Sequence, residues 1–214
     1  MLSNDVASLG AGEGCDALLL TAKARVVAPL RVLRRAENDF LLSTEPELGD
    51  VVRVQLRRAR FASKAEIEPE EHEAWLVLAG EEVLDERPPG EELDEGAFER
   101  WRIEAGIPRW GNEIDDRVLP AEAGLTETHV SFAKGCYPGQ EPIARQHYRG
   151  KLNRRLRVLD VDGEVTPNDE LVYEGKKVGR ITSAVPGVAL GYVRTEVPDD
   201  ALLSVGDTAA RLRR

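Results

Sequence analysis

Lys134, Gly135, Cys136, Tyr137, Pro138, Gly139, Gln140 and Glu141 are consecutive, so a thiol stands two residues from an ammonium group in a glycine-bracketed turn ahead of a helix-like run. A nearby cation and the positive end of a helix both favour the thiolate, the reactive form of cysteine. This spacing makes Cys136 a candidate nucleophile and Lys134 the group that lowers its pKa, while Gly135 and Gly139 permit turns that a side chain would hinder. The competing reading is a small buried hydrophobe, a frequent fate of free cysteine. Tyr137 reads as a packing residue. Gln140 and Glu141 suit either a helix cap or a ligand contact, and their types do not separate the two. His147 has no acid nearby in sequence and reads as an ordinary surface histidine, whereas Cys15, in an apolar run, reads as core.

The elements that must hold this turn follow from spacing. Pro142 fits the first turn of a helix, where its missing N–H costs nothing, which predicts a helix over Glu141–Tyr148 ended by Gly150. Phe98, Trp101 and Ala105 fall three and four apart, acids crowd the start, and Gly106 and Pro108 follow, which predicts a second helix with a defined stop. Arg102 and Glu104 lie on different sides of it. Residues 85–96 read as a surface loop. Cys15–Leu20, Arg25–Leu33 and Phe40–Ser43 read as strands, Glu47–Ala59 as an amphipathic helix, and Trp75–Leu78 is expected to resume the sheet. Leu156–Val161, Leu171–Tyr173, Lys177–Ser183 and Val188–Val193 then read as short strands with turns at Asp162-Gly163 and Glu174-Gly175. The expected fold is α+β: residues 1–150 form helices on a mostly antiparallel sheet, and residues 151–214 form a small barrel-like β-domain.

Composition narrows the function classes. The formal net charge of −10 argues against general affinity for nucleic acid, which rests on neutralising phosphates with lysine and arginine. No apolar run approaches the ~20 residues that cross a bilayer, and no secretory leader is evident, so no membrane partner and a cytoplasmic location are expected. Two cysteines far apart and three histidines offer no ligand spacing for a metal centre. Charge is uneven: residues 66–95 are densely acidic and read as a solvated face, while 143–158 carry six Arg and Lys with no acid. The basic stretch reads either as another solvated face or as a groove for an anionic ligand such as a polyglutamate tail.

The segment Arg102-Ile-Glu-Ala-Gly-Ile-Pro108, the octapeptide at 134–141 and Ile143-Ala-Arg-Gln-His-Tyr-Arg-Gly150 occur in an order that resembles the YgfZ-type folate-binding proteins, relatives of the glycine-cleavage aminomethyltransferase. Leu2-Ser-Asn-Asp-Val6 and Gly179-Arg-Ile-Thr-Ser183 are similar to further segments of that family. Several dozen residues normally precede the Asn-Asp-Val segment, so an N-terminally shortened aminomethyltransferase-like folate-binding domain is expected, followed by the small β-barrel.

The resemblance implies a tetrahydrofolate-binding accessory protein that supports iron–sulfur cluster assembly or repair, with folate, or a one-carbon derivative, and iron–sulfur client or assembly proteins as partners. It implies Glu104 as the carboxylate that accepts the paired N–H donors of a pterin, a strong charge-assisted arrangement. Arg102, Gln140 and Arg145 are the other implied folate contacts, with Cys136 and Lys134 at the chemistry. The alternative is a folate-dependent aminomethyltransferase. Ala28 and Pro29 stand where those enzymes carry paired aspartates, and neither can move a proton, which disfavours it.

Overall fold

The computed structural model describes residues 1–60, 64–78 and 81–213; residues 79 and 80 of the acidic stretch, and Arg214 at the end of the expected second domain, lie outside them. The chain opens with an antiparallel meander of β1 (Gly14–Leu20), β2 (Val26–Ala36) and β3 (Asp39–Ser43), with Ala17 opposite Leu30 and Arg31 opposite Ser43. Along β2, Val26, Ala28, Leu30 and Val32 are buried and their neighbours less so, as a period of two requires of a strand. In β1 four successive residues, Ala17–Leu20, are buried, so both faces of this strand are covered. Ala17 and Leu19 join one core with Leu48 and Val52, at the start of the expected helix, whose α-helical part is α1 (Gly49–Ala59). Leu18 and Leu20 point into a second core with Ile114, Leu125 and Ile143.

The expected return of the chain to this sheet does not occur. β4 (Ala74–Val77) pairs with β5 (Glu81–Leu84) in a separate two-stranded ribbon. Its burial pattern, exposed at Ala74 and Leu76 and only intermediate at Trp75 and Val77, lacks the apolar face needed to insert beside β3. Side-chain contacts tie it instead, including Ser43 Oγ to Glu82 at 2.7 Å and Arg35 to Glu70 at 2.6 Å.

α2 (Glu95–Glu104) begins where Asp94 caps the Ala97 N–H at 2.8 Å and ends before Gly106 at φ 69°. α3 (Thr126–His129) is a single turn. α4 (Gln140–Arg149) follows Gly139, whose φ is 83°. A Cβ on Gly139 would sit 2.7 Å from the Thr21 carbonyl, so only glycine lets the turn at 134–139 pack against the chain between β1 and β2.

The remaining strands, β6 (Arg154–Val161), β7 (Glu170–Tyr173), β8 (Lys176–Val185), β9 (Val188–Arg194), β10 (Leu202–Val205) and β11 (Thr208–Leu212), close into a barrel of order β10-β11-β6-β9-β8-β7. β9 is its hub. Ala189 and Val193 fill the barrel, Val188 and Leu190 pack on Ile103 of α2, and Tyr192 enters the core shared with β1. No helix among the described residues is long and apolar enough to cross a membrane.

Candidate functional site

Arg102 faces inward from α2 and is 3% exposed. Its guanidinium donates to both Glu99 oxygens at 2.8 and 2.5 Å, to the Ile107 carbonyl at 2.6 Å, to Glu113 at 3.0 Å and to Ser183 Oγ of β8 at 2.7 Å. A guanidinium has five N–H donors, and these contacts engage all of them. Burial alone would lower the Arg102 pKa, but Glu99 and Glu113 outweigh it and raise it. Glu113 is itself fully buried and accepts from Ser183 at 2.6 Å and from the Arg109 N–H at 3.0 Å. Arg102 therefore joins α2, the following loop and the barrel, and has no donor left for the ligand contact expected of it.

Glu104 lies on the outer side of α2 with its side chain 42% exposed. Its carboxylate meets Arg100 at 3.4 Å and lines neither cavity described below.

In the turn at 134–139, Lys134 Nζ donates to the Leu2 carbonyl at 2.6 Å and lies 5.4 Å from the centre of the Tyr137 ring. Burial holds its pKa below the usual lysine value, against the pull of Asp5 and Cys15. Lys134 also acts on Cys15, whose pKa is raised by burial and by Asp16 against the pull of Arg31 and Lys134. Cys15 is half-buried and Cys136 exposed. Tyr137 packs in the core as expected, and its buried hydroxyl has no partner. Gln140 opens α4, and His147 stacks on Phe132 with ring centres 4.1 Å apart.

A polar cluster that spacing did not single out sits where the two parts of the chain meet. Arg154, at the start of β6, donates to Glu122 Oε2 at 3.0 Å while its guanidinium lies 4.6 Å from the Tyr192 ring centre. Glu122 Oε2 also accepts from the Leu119 N–H at 3.3 Å, and its carbonyl takes the Leu156 N–H at 2.8 Å. Glu122 is 12% exposed, and its second carboxylate oxygen has no hydrogen-bond partner among the described residues. Tyr192 donates its hydroxyl to the Glu113 carbonyl at 2.9 Å, and burial raises its pKa. Arg154 belongs to the basic run noted in the sequence; nothing local marked Glu122, because its partners come from residues 119 and 154–156.

Two cavities flank this cluster. A groove of about 900 Å³ runs along Pro120, Ala121, Gly124 and the barrel residues Val193–Asp199, and its wall includes Thr126, whose buried hydroxyl lacks a partner. A notch of about 520 Å³ lies beside Leu119, Pro142 and Arg145. The structure thus brings Arg145 to a cavity and leaves Glu104, Arg102 and Glu122 outside both linings, with Glu122 next in sequence to the groove residue Ala121.

Residues 153–214 match the family described as the CAF17 C-terminal beta-barrel domain. The whole chain superimposes with a TM-score of 0.80 on 78% of a glycine cleavage system aminomethyltransferase T from Bartonella henselae, at 19% identity. The fold is therefore that of the aminomethyltransferases, with a six-stranded barrel at its end. The human mitochondrial iron-sulfur cluster assembly factor IBA57 is 27% identical over 85% of this chain and 56% of its own length. An aminomethyltransferase from Caldanaerobacter subterraneus is 34% identical over 41% of this chain and 24% of its own. The chain thus joins the aminomethyltransferase fold to a C-terminal barrel that matches the CAF17 barrel domain. It spans less than two thirds of the length of either of these curated relatives.

Proposed function

We propose that this protein supports iron–sulfur cluster assembly or repair as a tetrahydrofolate-binding accessory factor. Its resemblance over the Lys134-Gly-Cys136-Tyr signature and its likeness to IBA57 along 85% of the chain support the assembly role. The observation that carries the folate part is the Glu122 carboxylate oxygen without a partner among the described residues, next in sequence to Ala121 in the wall of a groove within the ~300–1,000 Å³ typical of ligand sites.

The residues present fit a reduced folate. Glu122, held by Arg154 through one oxygen, offers its other oxygen to a single pterin N–H, in place of the paired contact expected of Glu104. The partnerless Thr126 hydroxyl and the cations of the groove wall suit the glutamate end. A reduced folate, when bound, supplies a carrier for one-carbon units. Cys136, exposed on its turn, is the group of this chain available to a partner or to the folate-borne carbon.

Titration of the purified protein with tetrahydrofolate, followed by tryptophan fluorescence, tests this reading. Glu122→Gln is expected to weaken binding about tenfold or more, as loss of a charge-assisted contact should, and Glu104→Gln to leave it unchanged. The reverse pattern would return the anchor to α2, and no binding to the unaltered chain would end the folate reading.

The second reading, an aminomethyltransferase, is favoured by the 34% identity to such an enzyme over 90 residues. Ala28 is fully buried in β2 beside Pro29, and neither side chain exchanges protons, so this reading requires another acid. Turnover of a lipoyl-bound aminomethyl substrate would establish it.

A further inference from the structure

The groove and the notch share Gln146 and Gly150, so they form one trench past the C-terminal turns of α4. Lys23, Arg145 and Arg149 line the notch, and Lys151 and Arg155 line the groove. None of these five side chains has a hydrogen-bond or ion-pair partner among the described residues. Their neighbours behave otherwise: Arg154, Arg157 and Arg194 are paired with Glu122, Asp199 and Glu196. A run of unneutralised cations on a chain of net charge −10, which has acids to spare, concentrates positive potential in a concave place.

An aromatic anchor stands beside it. Tyr148 is 70% exposed, yet its ring is braced edge-on against His147 at 4.9 Å and Phe132 at 6.0 Å. Rigid exposed tyrosine next to arginines is the composition of interface hot spots. The wall offers accessible apolar surface at Leu152 and Pro198.

We propose that this trench is a docking surface for an acidic, partly aliphatic segment of a partner protein. Carboxylates of the segment meet the five cations, its aliphatic side chains cover Leu152 and Pro198, and Tyr148 packs at the rim. The apolar wall at Leu152 and Pro198 favours a peptide over a nucleic acid, which has no aliphatic side chains to bury. Glu127, in the groove wall, would also repel a continuous train of phosphates. A second copy of this chain brings its own net charge of −10, which disfavours it as the occupant. The trench overlaps the groove given to the glutamate end of folate, but the pterin anchor Glu122 lines neither part of it, so substitution of Glu122 tells the two readings apart.

Fluorescence anisotropy of a labelled peptide of repeating Glu-Glu-Leu tests it. Saturable binding at low salt is expected, weakened about tenfold or more by Arg145→Glu with Arg149→Glu, and by less with Tyr148→Ala. Charge reversal outside the trench, Arg58→Glu with Lys176→Glu, should change little, and a Gln-Gln-Leu peptide should not bind. Glu122→Gln should keep peptide affinity, which separates this outcome from that of the folate titration. Equal loss on reversing Arg58 and Lys176, tighter binding of a single-stranded oligonucleotide, or self-association abolished by the Arg145 and Arg149 reversals would each overturn the proposal.

Discussion

Glu122 and Arg154 face each other at 3.0 Å across the line where the barrel meets the rest of the chain. One partner sits in a loop packed by the first sheet and the other opens β6, so their distance is fixed by the docking of two folded parts. The same docking surface carries the Arg102–Glu113–Ser183 network and the Tyr192 hydroxyl, which are buried where the Glu122–Arg154 pair is partly open.

Removing one member of the buried network leaves the other charge without compensation. Arg102→Ala is expected to destabilise the protein by about 3–5 kcal/mol, the usual cost of breaking a buried pair by truncating one partner. Urea unfolding monitored by circular dichroism measures it. A loss under 1 kcal/mol, with folate affinity reduced instead, would restore Arg102 to the ligand site.

Close approaches of backbone require glycine at positions 139 and 179, among others. A Cβ at Gly179 would lie 2.1 Å from the Tyr192 carbonyl, and one at Gly139 would meet backbone at 2.7 Å with φ at 83°. Gly139→Ala should cost about 1–3 kcal/mol from the left-handed backbone alone, and should alter labelling of Cys136 because that thiol rides on the same turn. Gly179→Ala should lower stability without changing Cys136 labelling. Thermal unfolding with parallel thiol modification reads both.

The two thiols should separate in rate. Cys136 is exposed, whereas Cys15 is half-buried in β1 with its pKa raised by burial, so iodoacetamide should modify one site quickly and the second only slowly in the folded protein. Peptide mass mapping over time identifies them. Fast modification of Cys15 would contradict the packing of β1.

The ribbon of β4 and β5 should loosen as pH rises. His72 meets Asp85 at 2.6 Å and Glu70 at 3.2 Å, and these carboxylates raise its pKa above 6.5. A histidine whose folded pKa is raised contributes stability that is fully present below its unfolded pKa and fades as pH climbs through the folded one. Hydrogen-exchange protection of Ala74–Val77, corrected for intrinsic rates, should therefore fall above neutral pH. His72→Asn should flatten that dependence, and an unchanged profile in the variant would remove His72 as its source.

Much of the scaffold was legible because local signals and final burial agree. The alternation in β2, the glycine-stopped α2, and the turn pairs that separate β6 from β7 and β7 from β8 each follow from a few adjacent residues. β10 and β11 escaped notice because Leu202-Leu-Ser-Val and Thr208-Ala-Ala-Arg-Leu are short and carry little alternation, and they become strands through pairing with β7 and β6. Trp75–Leu78 read correctly as a strand, but no local signal told which partner it would take. The site was less legible still. Arg102 and Glu104 differ by two positions on one helix, and only the packing of β8 and β9 decides that the first is buried and the second meets solvent. Glu122 reveals itself only once residues 32 positions apart come together.

Tyr192 belongs by backbone to the barrel and by side chain to the core around Leu18, Ile114 and Ile143. A barrel excised from this chain would carry a greasy plug with nothing to receive it, and the remaining piece would keep an empty socket. The barrel is thus not a transplantable module, and either fragment made separately should clump unless its counterpart is supplied.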